Sequence, residues 1–372
     1  MKVLVLTKRQ YMGKDLLDDR FGRFRELPLG LAHLGHDVMG IALSYRAREE
    51  NTVTDVDAPD QSGVTWHSLN LKRGGIPRLR RFLSFAIQAA KNFRPDLIWA
   101  ASDAYHTILG GWLGKRVGVP CIIDLYDNFE AFGASKVPFV LPLFRRAVKN
   151  AEGVTCFSKR LAEYIAKRYP RSKPTAIVEN GVRKDLFRPR NLEECRRRFR
   201  LPENATIIGT AGALDKSRGV TTLFQALPLL TGHIRELHLA LAGPHMGHAA
   251  LPVGPHIHDL GVLPHEEVSH FINALDLSVI CYRHSEQGEY SLPQKAYEII
   301  ACRVPLVAAA VGTMNELLHA YPNCLYDPDD PASLAAKAKL QLKEKVVIDR
   351  EVPSWLESAK QLETFLESII RI

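Results

Sequence analysis

The chain has 372 residues, a hydrophobic fraction of 46%, a charged fraction of 24% and a formal net charge of +8. That length favours two domains, and the composition excludes a disordered or fibrous chain. The positive balance favours anionic partners: phosphates, nucleic acid or an anionic membrane surface.

The N-terminal MKVLVLTKRQ has a short apolar run followed at once by charge. It reads as a first strand, not a signal peptide. No apolar stretch approaches the ~20 residues of a spanning helix. The expected address is cytoplasmic, with a peripheral position on the inner face of the membrane left open. The six cysteines form no C-x-x-C pair, and Cys121, Cys156 and Cys281 lie in apolar runs, so reduced structural thiols are expected.

Apolar runs at 3–7, 38–44, 97–101, 121–125 and 154–157 predict a first set of strands. Runs at 206–211, 237–242, 277–281, 306–310 and 324–326 predict a second. Little polar alternation interrupts them, which suits parallel strands covered by helices on both faces. The expected fold class is α/β, with two Rossmann-like doubly wound domains facing across a cleft. Asn180-Gly181, Pro189 and Pro202 punctuate the connection, placing one domain at 1–178 and the other at 179–352. Pro353-Ser354 signals the start of a last helix, expected to pack back on the N-terminal domain. In such sheets ligands bind beyond the carboxyl ends of the strands, so chemistry is expected in strand-to-helix loops.

In chain order, the first such loop holds Gly22, where backbone amides could approach a ligand. Arg20, Arg23 and Arg25 flank it, either engaging an anion or forming a solvated face. His106 in ASDAYHT and Asp127 in DLYDNFE follow later strands. Gly212 through Gly219, GALDKSRG, carries Lys216 and Arg218, whose guanidinium suits a bidentate phosphate clamp. In SLPQKAYE, Ser291 reads as an N-cap, Gln294 as closing a capping box, and the helix as 292–302. Gln294 and Glu298 are four apart and share a face. Lys295 in the first turn opposes the helix dipole and invites an anion, although a plain solvated helix fits the periodicity too. Thr313 and Glu316 form another capping-box pattern.

Three signals are discounted. Asp55-Val56-Asp57 is a D-x-D in a polar stretch with no strand leading into it. GGWLGK, 110–115, lacks the spacing of a P-loop and reads as small residues for helix packing. His245, His248, His256 and His258 read as a surface loop, and no metal site is predicted. Two segments mix basic and apolar groups. Residues 71–95 hold seven Lys/Arg and no acid, and 136–149 combine bulky apolar groups with Arg145 and Arg146. They suit an anionic membrane surface or a lipid-linked partner, or are solvated basic helices. No nucleic-acid module is present, and nucleic acid is not an expected partner.

Taken together, SLPQKAYEIIACRVPLVAA, VENGVRKDLFRP, IIGTAGALDKSRGVTTLFQAL, LALAGP, DLGVLPHEEV, FINALDLSVI, FGRFRELPLGLAHLGHDV, RPDLIWAAS and VGVPCIIDLYDNFE resemble, in order, the retaining GT-B glycosyltransferases of the large family 4 type. The resemblance spans nearly the whole chain. It implies an acceptor-side N-terminal domain and a C-terminal domain that binds a nucleotide-diphosphate sugar, UDP- or GDP-linked. It implies no metal or other cofactor, and an acceptor that is a glycan, a lipid-linked molecule or a small molecule. Glu298 matches the second carboxylate of the family's E-x7-E pair, which holds the ribose hydroxyls. The first falls on Tyr290, with Glu289 beside it and Glu286 four residues away, so Glu289 is implied in contacting the sugar. Arg218 matches a basic residue on the diphosphate. Ala213 stands where the family carries Arg, and Lys216 is the substitute. Gly22, Gly212, Val262, Ser291, Leu292, Lys295 and Thr313 are implied in donor binding. The family's His that contacts the transferred sugar is absent from DLYDNFE, leaving Asp127 and His106 as candidates. Arg303 stands where the family has Gly after the donor helix, a strained choice if the position is left-handed. The implied chemistry is a front-face displacement with retained configuration, in glycan, lipopolysaccharide, exopolysaccharide or glycolipid synthesis. A non-catalytic GT-B scaffold and a sugar-nucleotide epimerase are the alternative readings.

Overall fold

The computed structural model describes residues 1–11, 13–56, 62–73, 76–246 and 250–371. The chain divides into two units, Met1–Gly181 with Pro353–Ile372, and Val182–Val352.

The first unit runs β1 (Lys2–Lys8), α1 (Arg23–His33), β2 (Asp37–Ser44), β3 (Thr52–Val56), β4 (Gly63–Asn70), α2 (Leu79–Phe93), β5 (Leu97–Ala100), α3 (Ala104–Val117), β6 (Cys121–Leu125), α4 (Val140–Asn150), β7 (Gly153–Cys156), α5 (Lys159–Arg168) and β8 (Thr175–Ile177). The second runs α6 (Leu192–Arg198), β9 (Thr206–Ala211), α7 (Val220–Thr231), β10 (Leu237–Ala242), β11 (Ile257–Asp259), α8 (His265–Asn273), β12 (Leu277–Ile280), α9 (Glu286–Tyr290), α10 (Gln294–Ala301), β13 (Leu306–Ala309), α11 (Thr313–Leu317), β14 (Leu325–Tyr326) and α12 (Pro331–Glu344). The last helix, α13 (Trp355–Ile370), belongs to the first unit.

The first sheet has the order β8-β7-β6-β5-β1-β2-β4-β3. All its pairings are parallel except β3 with β4. Strands β5, β6 and β7 are buried along their whole length, which is why their sequences read as unbroken apolar runs. The exception corrects the reading of 51–63 as a polar loop. Thr52–Val56 is an edge strand with one face in water, so its polar residues hid it. Asp57 and His248 lie outside the described residues. Helix α13 begins with a complete capping box of Ser354 and Glu357 and packs on α1. Contact is close: a Cβ on Gly30 would lie 2.4 Å from the Ala359 Cβ.

The second sheet is wholly parallel, in the order β11-β10-β9-β12-β13-β14. Successive residues of one strand feed opposite cores. Ile207 packs with Phe271, Ile280 and Ala308, while Ile208 packs with Leu239, Val279 and Val307. Strand order reverses at β1 in the first sheet and at β9 in the second. Those two points are where open parallel sheets leave a crevice for ligands.

Candidate functional site

In the second unit the crevice is built around Gly212, the residue after β9. Gly212 has φ +108, and a Cβ on neighbouring Gly243 would lie 1.9 Å from the Gly212 carbonyl oxygen. Only glycine allows these two backbones to approach so closely. Gly243 also donates its amide to the Gly261 carbonyl at 2.7 Å, tying in the loop that carries exposed Val262.

Lys295, from the first turn of α10, reaches this point. Its Nζ lies 3.9 Å from the Cβ position of Gly212 and donates to the Ala211 carbonyl at 3.1 Å and to Thr210 Oγ1 at 3.5 Å. Burial pulls its pKa below the ordinary value, the nearby Arg218 charge adds to this, and Cys281 and Glu298 oppose it. Lys295 and Arg218 are thus like charges near one another, and neither forms an ion pair with a carboxylate among the described residues. Among the described residues, Arg218 and Lys216 make no side-chain hydrogen bond or ion pair, and both are exposed.

Glu298 is one turn further along α10 and buried. His265 at the start of α8 holds its Nε2 3.7 Å from Glu298 Oε1, and the His265 ring lies 5.3 Å from that of Phe187. The remaining pair of loops meets at Gly312, where a Cβ would lie 2.2 Å from the Glu289 carbonyl oxygen. Next to Gly312, the buried Thr313 Oγ1 has no hydrogen-bond partner among the described residues. Leu292 packs against the core at its side.

Two local readings are corrected here. Ser291 is not the N-cap of α10. Pro293 takes that position without a side-chain cap, because proline holds the residue before it extended and delays the helix to Gln294. Thr313 and Glu316 do not form a capping box either. Gly312, at φ 46, is the N-cap of α11, so Thr313 falls inside the helix. Arg303 does adopt the left-handed region, at φ 57, a cost of about 1 kcal/mol.

In the first unit the arginines at the sheet's carboxyl end are paired with carboxylates. Arg23 is neither a solvated side chain nor an open anion ligand. It is fully buried, grips Asp124 at 2.9 and 2.7 Å, and donates to the Val178 carbonyl and Asn180. Arg25 is likewise buried on Asp55 at 2.6 and 3.0 Å, with Glu26 at 2.8 Å. Arg20 donates to the Val56 carbonyl at 2.8 Å and pairs with Asp55 at 2.9 Å. Asp55 is thus a structural partner of arginines. Gly22 caps α1 at φ 93 and lies against the Tyr11 ring.

His106 is not a loop residue. It sits in the first turn of α3, fully buried, with Nδ1 2.8 Å from Asp103 Oδ1 and 3.4 Å from the Tyr45 hydroxyl. Its Nε2 has no partner among the described residues. Burial alone would raise the Asp103 carboxyl, but the His106 ring outweighs it and holds the pKa below the usual range. Ser102, at φ 98, is a strained non-glycine residue at the same strand end, and its Oγ accepts from the Lys8 amide at 2.9 Å. Lys8 Nζ lies 3.5 Å from the Tyr126 hydroxyl; burial lowers its pKa while Asp103 and Asp127 oppose this. Asp127 is buried and accepts from the Asn128 amide at 2.8 Å. Sequence reasoning missed Lys8, Tyr45, Asp103 and His265. The available signal was a lysine at the end of an apolar strand and a histidine opening a helix after Val262.

Residues 23–181 match the glycosyl transferase 4-like domain and residues 205–344 match the glycosyl transferases group 1 family. This chain belongs to the group 1 glycosyltransferases. A D-inositol 3-phosphate glycosyltransferase of Thermobispora bispora is 24% identical over 295 residues, 72% of this chain and 68% of that protein. The structure of sucrose-phosphate synthase from Thermosynechococcus elongatus superposes with a TM-score of 0.71 at 17% identity, covering 100% of this chain and 96% of that one. The Anabaena HepE protein in complex with UDP-glucose gives 0.67 at 15% identity, covering 100% and 97%. The group 1 enzymes act on sugar donors, and the two units have the GT-B fold.

Proposed function

We propose that this chain is a retaining glycosyltransferase that moves a sugar from a nucleoside-diphosphate sugar to an acceptor hydroxyl without a metal. The second unit binds the donor and the first unit receives the acceptor. The observation that carries the reading is the convergence of Gly212, Arg218 and Lys295 at the strand-order reversal, with Glu298 one turn behind Lys295. Two cations without an ion pair, beside an open glycine backbone, suit a diphosphate, and a buried carboxylate suits two ribose hydroxyls. Thr313 Oγ1, unpartnered among the described residues and beside Gly312 and the Glu289 backbone, is the candidate for the phosphate-to-sugar end of the donor.

The chemistry breaks the bond between the anomeric carbon and the donor phosphate oxygen and forms one to the acceptor oxygen on the same face. The acceptor proton passes to the departing diphosphate. Charge builds on that leaving group, so Arg218 and Lys295 act where the transition state differs from the ground state. No side chain is placed as a covalent nucleophile. Asp127 or His106 orients the sugar or the acceptor hydroxyl. A uridine or guanosine donor is expected, and the UDP-glucose complex of the Anabaena relative supports uridine.

The acceptor is a glycan, a lipid-linked molecule or a small molecule, and a face of the first unit favours lipid. A groove of 790 Å³ between α3 and α4 is lined by Leu83, Trp112, Leu143, Lys115 and Arg146. Beside it Phe139 is 79% exposed and Val137 45%. Apolar groups with Lys115 and Arg146 beside them suit an anionic membrane surface, although Glu152 also lines the groove. Among the described residues no helix is long and apolar enough to cross a membrane. The test is a thermal-shift and calorimetric screen of nucleoside diphosphates and their sugars on wild type and Glu298→Ala, followed by an assay for diphosphate release. One nucleotide should stabilise the wild type, by about 2.7 kcal/mol at a hundredfold excess over Kd, and not the variant. Release with retained anomeric configuration, surviving a chelator, is expected. Donor binding without release under any acceptor would favour the scaffold reading.

A further inference from the structure

A second cluster of chemistry-bearing residues lies at the opposite end of the same sheet. β10 and β11 are parallel neighbours, with Leu239 beside Ile257 and Ala240 beside His258. That register sets His238, near the start of β10, between His256 and His258. His256 Nδ1 is 3.1 Å from His238 Nε2, and His238 Nδ1 is 2.8 Å from His258 Nε2. Glu236, two residues before His238, brings a carboxylate oxygen 3.9 Å from that same Nε2. Glu236, His238 and His256 each offer one ligand atom, all within 4.8 Å of one another.

We propose that Glu236, His238 and His256 bind a divalent transition-metal cation of the zinc type, with His258 orienting the His238 ring. The separations fit. Zinc held about 2.0–2.1 Å from nitrogen and oxygen spaces tetrahedral ligand atoms about 3.3 Å apart. The observed 3.1 and 3.9 Å bracket that value. The imidazole chain also suits the tautomer that a metal needs. With Nδ1–H given to His258 Nε2 at 2.8 Å, His238 would turn its Nε2 lone pair to the shared point. A ligating histidine that gives its other N–H to a neighbour is the arrangement that tunes metal sites.

The Glu236 backbone occupies the left-handed region at φ 51, uncommon for a residue other than glycine. Glu236 and His256 are exposed while His238 is buried, so a fourth position is left to water. Nitrogen and carboxylate ligands with no thiolate suit zinc, nickel or copper over magnesium or calcium.

The site lies at the amino end of β10, and Gly243 follows the carboxyl end. Six residues of strand separate them, about 20 Å. The cation therefore cannot touch a donor held at Gly212. Its role is a clip: it joins the turn before β10, β10 itself and the segment entering edge strand β11.

The test is titration of the full-length apo chain with Co2+ as a spectroscopic probe, then displacement by Zn2+. One equivalent of Co2+ with the visible absorption of a four-coordinate site is expected, and Zn2+ should raise Tm. His238 is buried, and removing it could prevent folding. Exposed His256→Ala and Glu236→Gln carry the test, singly and together, and the double variant should lose both the absorption and the Zn2+ effect on Tm. His258→Ala should weaken binding about 10–100-fold, while His233→Ala, on the same unit but outside the cluster, should match wild type. No Co2+ uptake, or uptake unchanged in the double variant, would overturn the proposal and leave the three imidazoles as a hydrogen-bonded chain.

Discussion

The two units present the same topological feature, a reversal of strand order in a parallel sheet, and furnish it in opposite ways. In the first unit Arg23 pairs with Asp124, Arg25 with Asp55 and His106 with Asp103, while Lys8 at the end of β1 has, among the described residues, only the Tyr126 hydroxyl within reach. In the second, Lys295 has only neutral oxygens as partners, and Arg218 and Lys216 have no ion pair among the described residues. One set of charges is spent on the fold and the other has no internal counter-ion, which is what the proposed donor site requires. Charge alone does not make a binding site; charge without an internal counter-ion does.

The comparison can be broken by removing one partner on each side. The largest effect is expected from Asp124→Ala, which strands the fully buried Arg23 and should cost about 3–5 kcal/mol of stability, read from urea unfolding. Arg218→Ala should change stability by less than about 0.5 kcal/mol. It should nevertheless weaken nucleoside diphosphate binding by about 1.5–3 kcal/mol, the worth of a charged hydrogen bond. An Arg218 variant that unfolds, or an Asp124 variant as stable as wild type, would erase the contrast.

Lys295 sharpens the comparison through pH. Its folded pKa lies below 10.5, so between that value and 10.5 the unfolded chain binds more protons. Stability from this residue therefore rises with pH across that window. Diphosphate affinity should move the other way, falling as Lys295 loses its proton. Lys295→Met should flatten both slopes, measured by unfolding and by calorimetry over pH. The smallest effect concerns Arg303. Glycine there should relieve the left-handed backbone and gain up to about 1 kcal/mol, less the entropy that glycine adds to the unfolded chain.

The central strands were legible because residues such as Leu97–Ala100 and Leu237–Ala242 are buried on both faces and so are apolar throughout. Thr52–Val56 was not, since an edge strand with one wet face looks like a polar loop. The residues proposed to meet the donor were legible as local order: a glycine after a strand, then a basic loop, then a lysine in a first helical turn. What stayed hidden was pairing over distance. Arg23 and Asp124 are 101 residues apart, and His238 and His256 are 18 apart on neighbouring strands. Proline misled the reading of Ser291 because the spacing of a capping box was present while the backbone before Pro293 could not be helical.

The most direct measurement is a calorimetric comparison of UDP, UMP and uridine on wild type and on Arg218→Ala with Lys295→Met. If Arg218 and Lys295, which lack ion pairs, await a diphosphate, UDP binds the wild type well above UMP and uridine, and the double variant removes that advantage while stability holds. Equal affinities for the three ligands, or an advantage that survives both substitutions, would contradict the account.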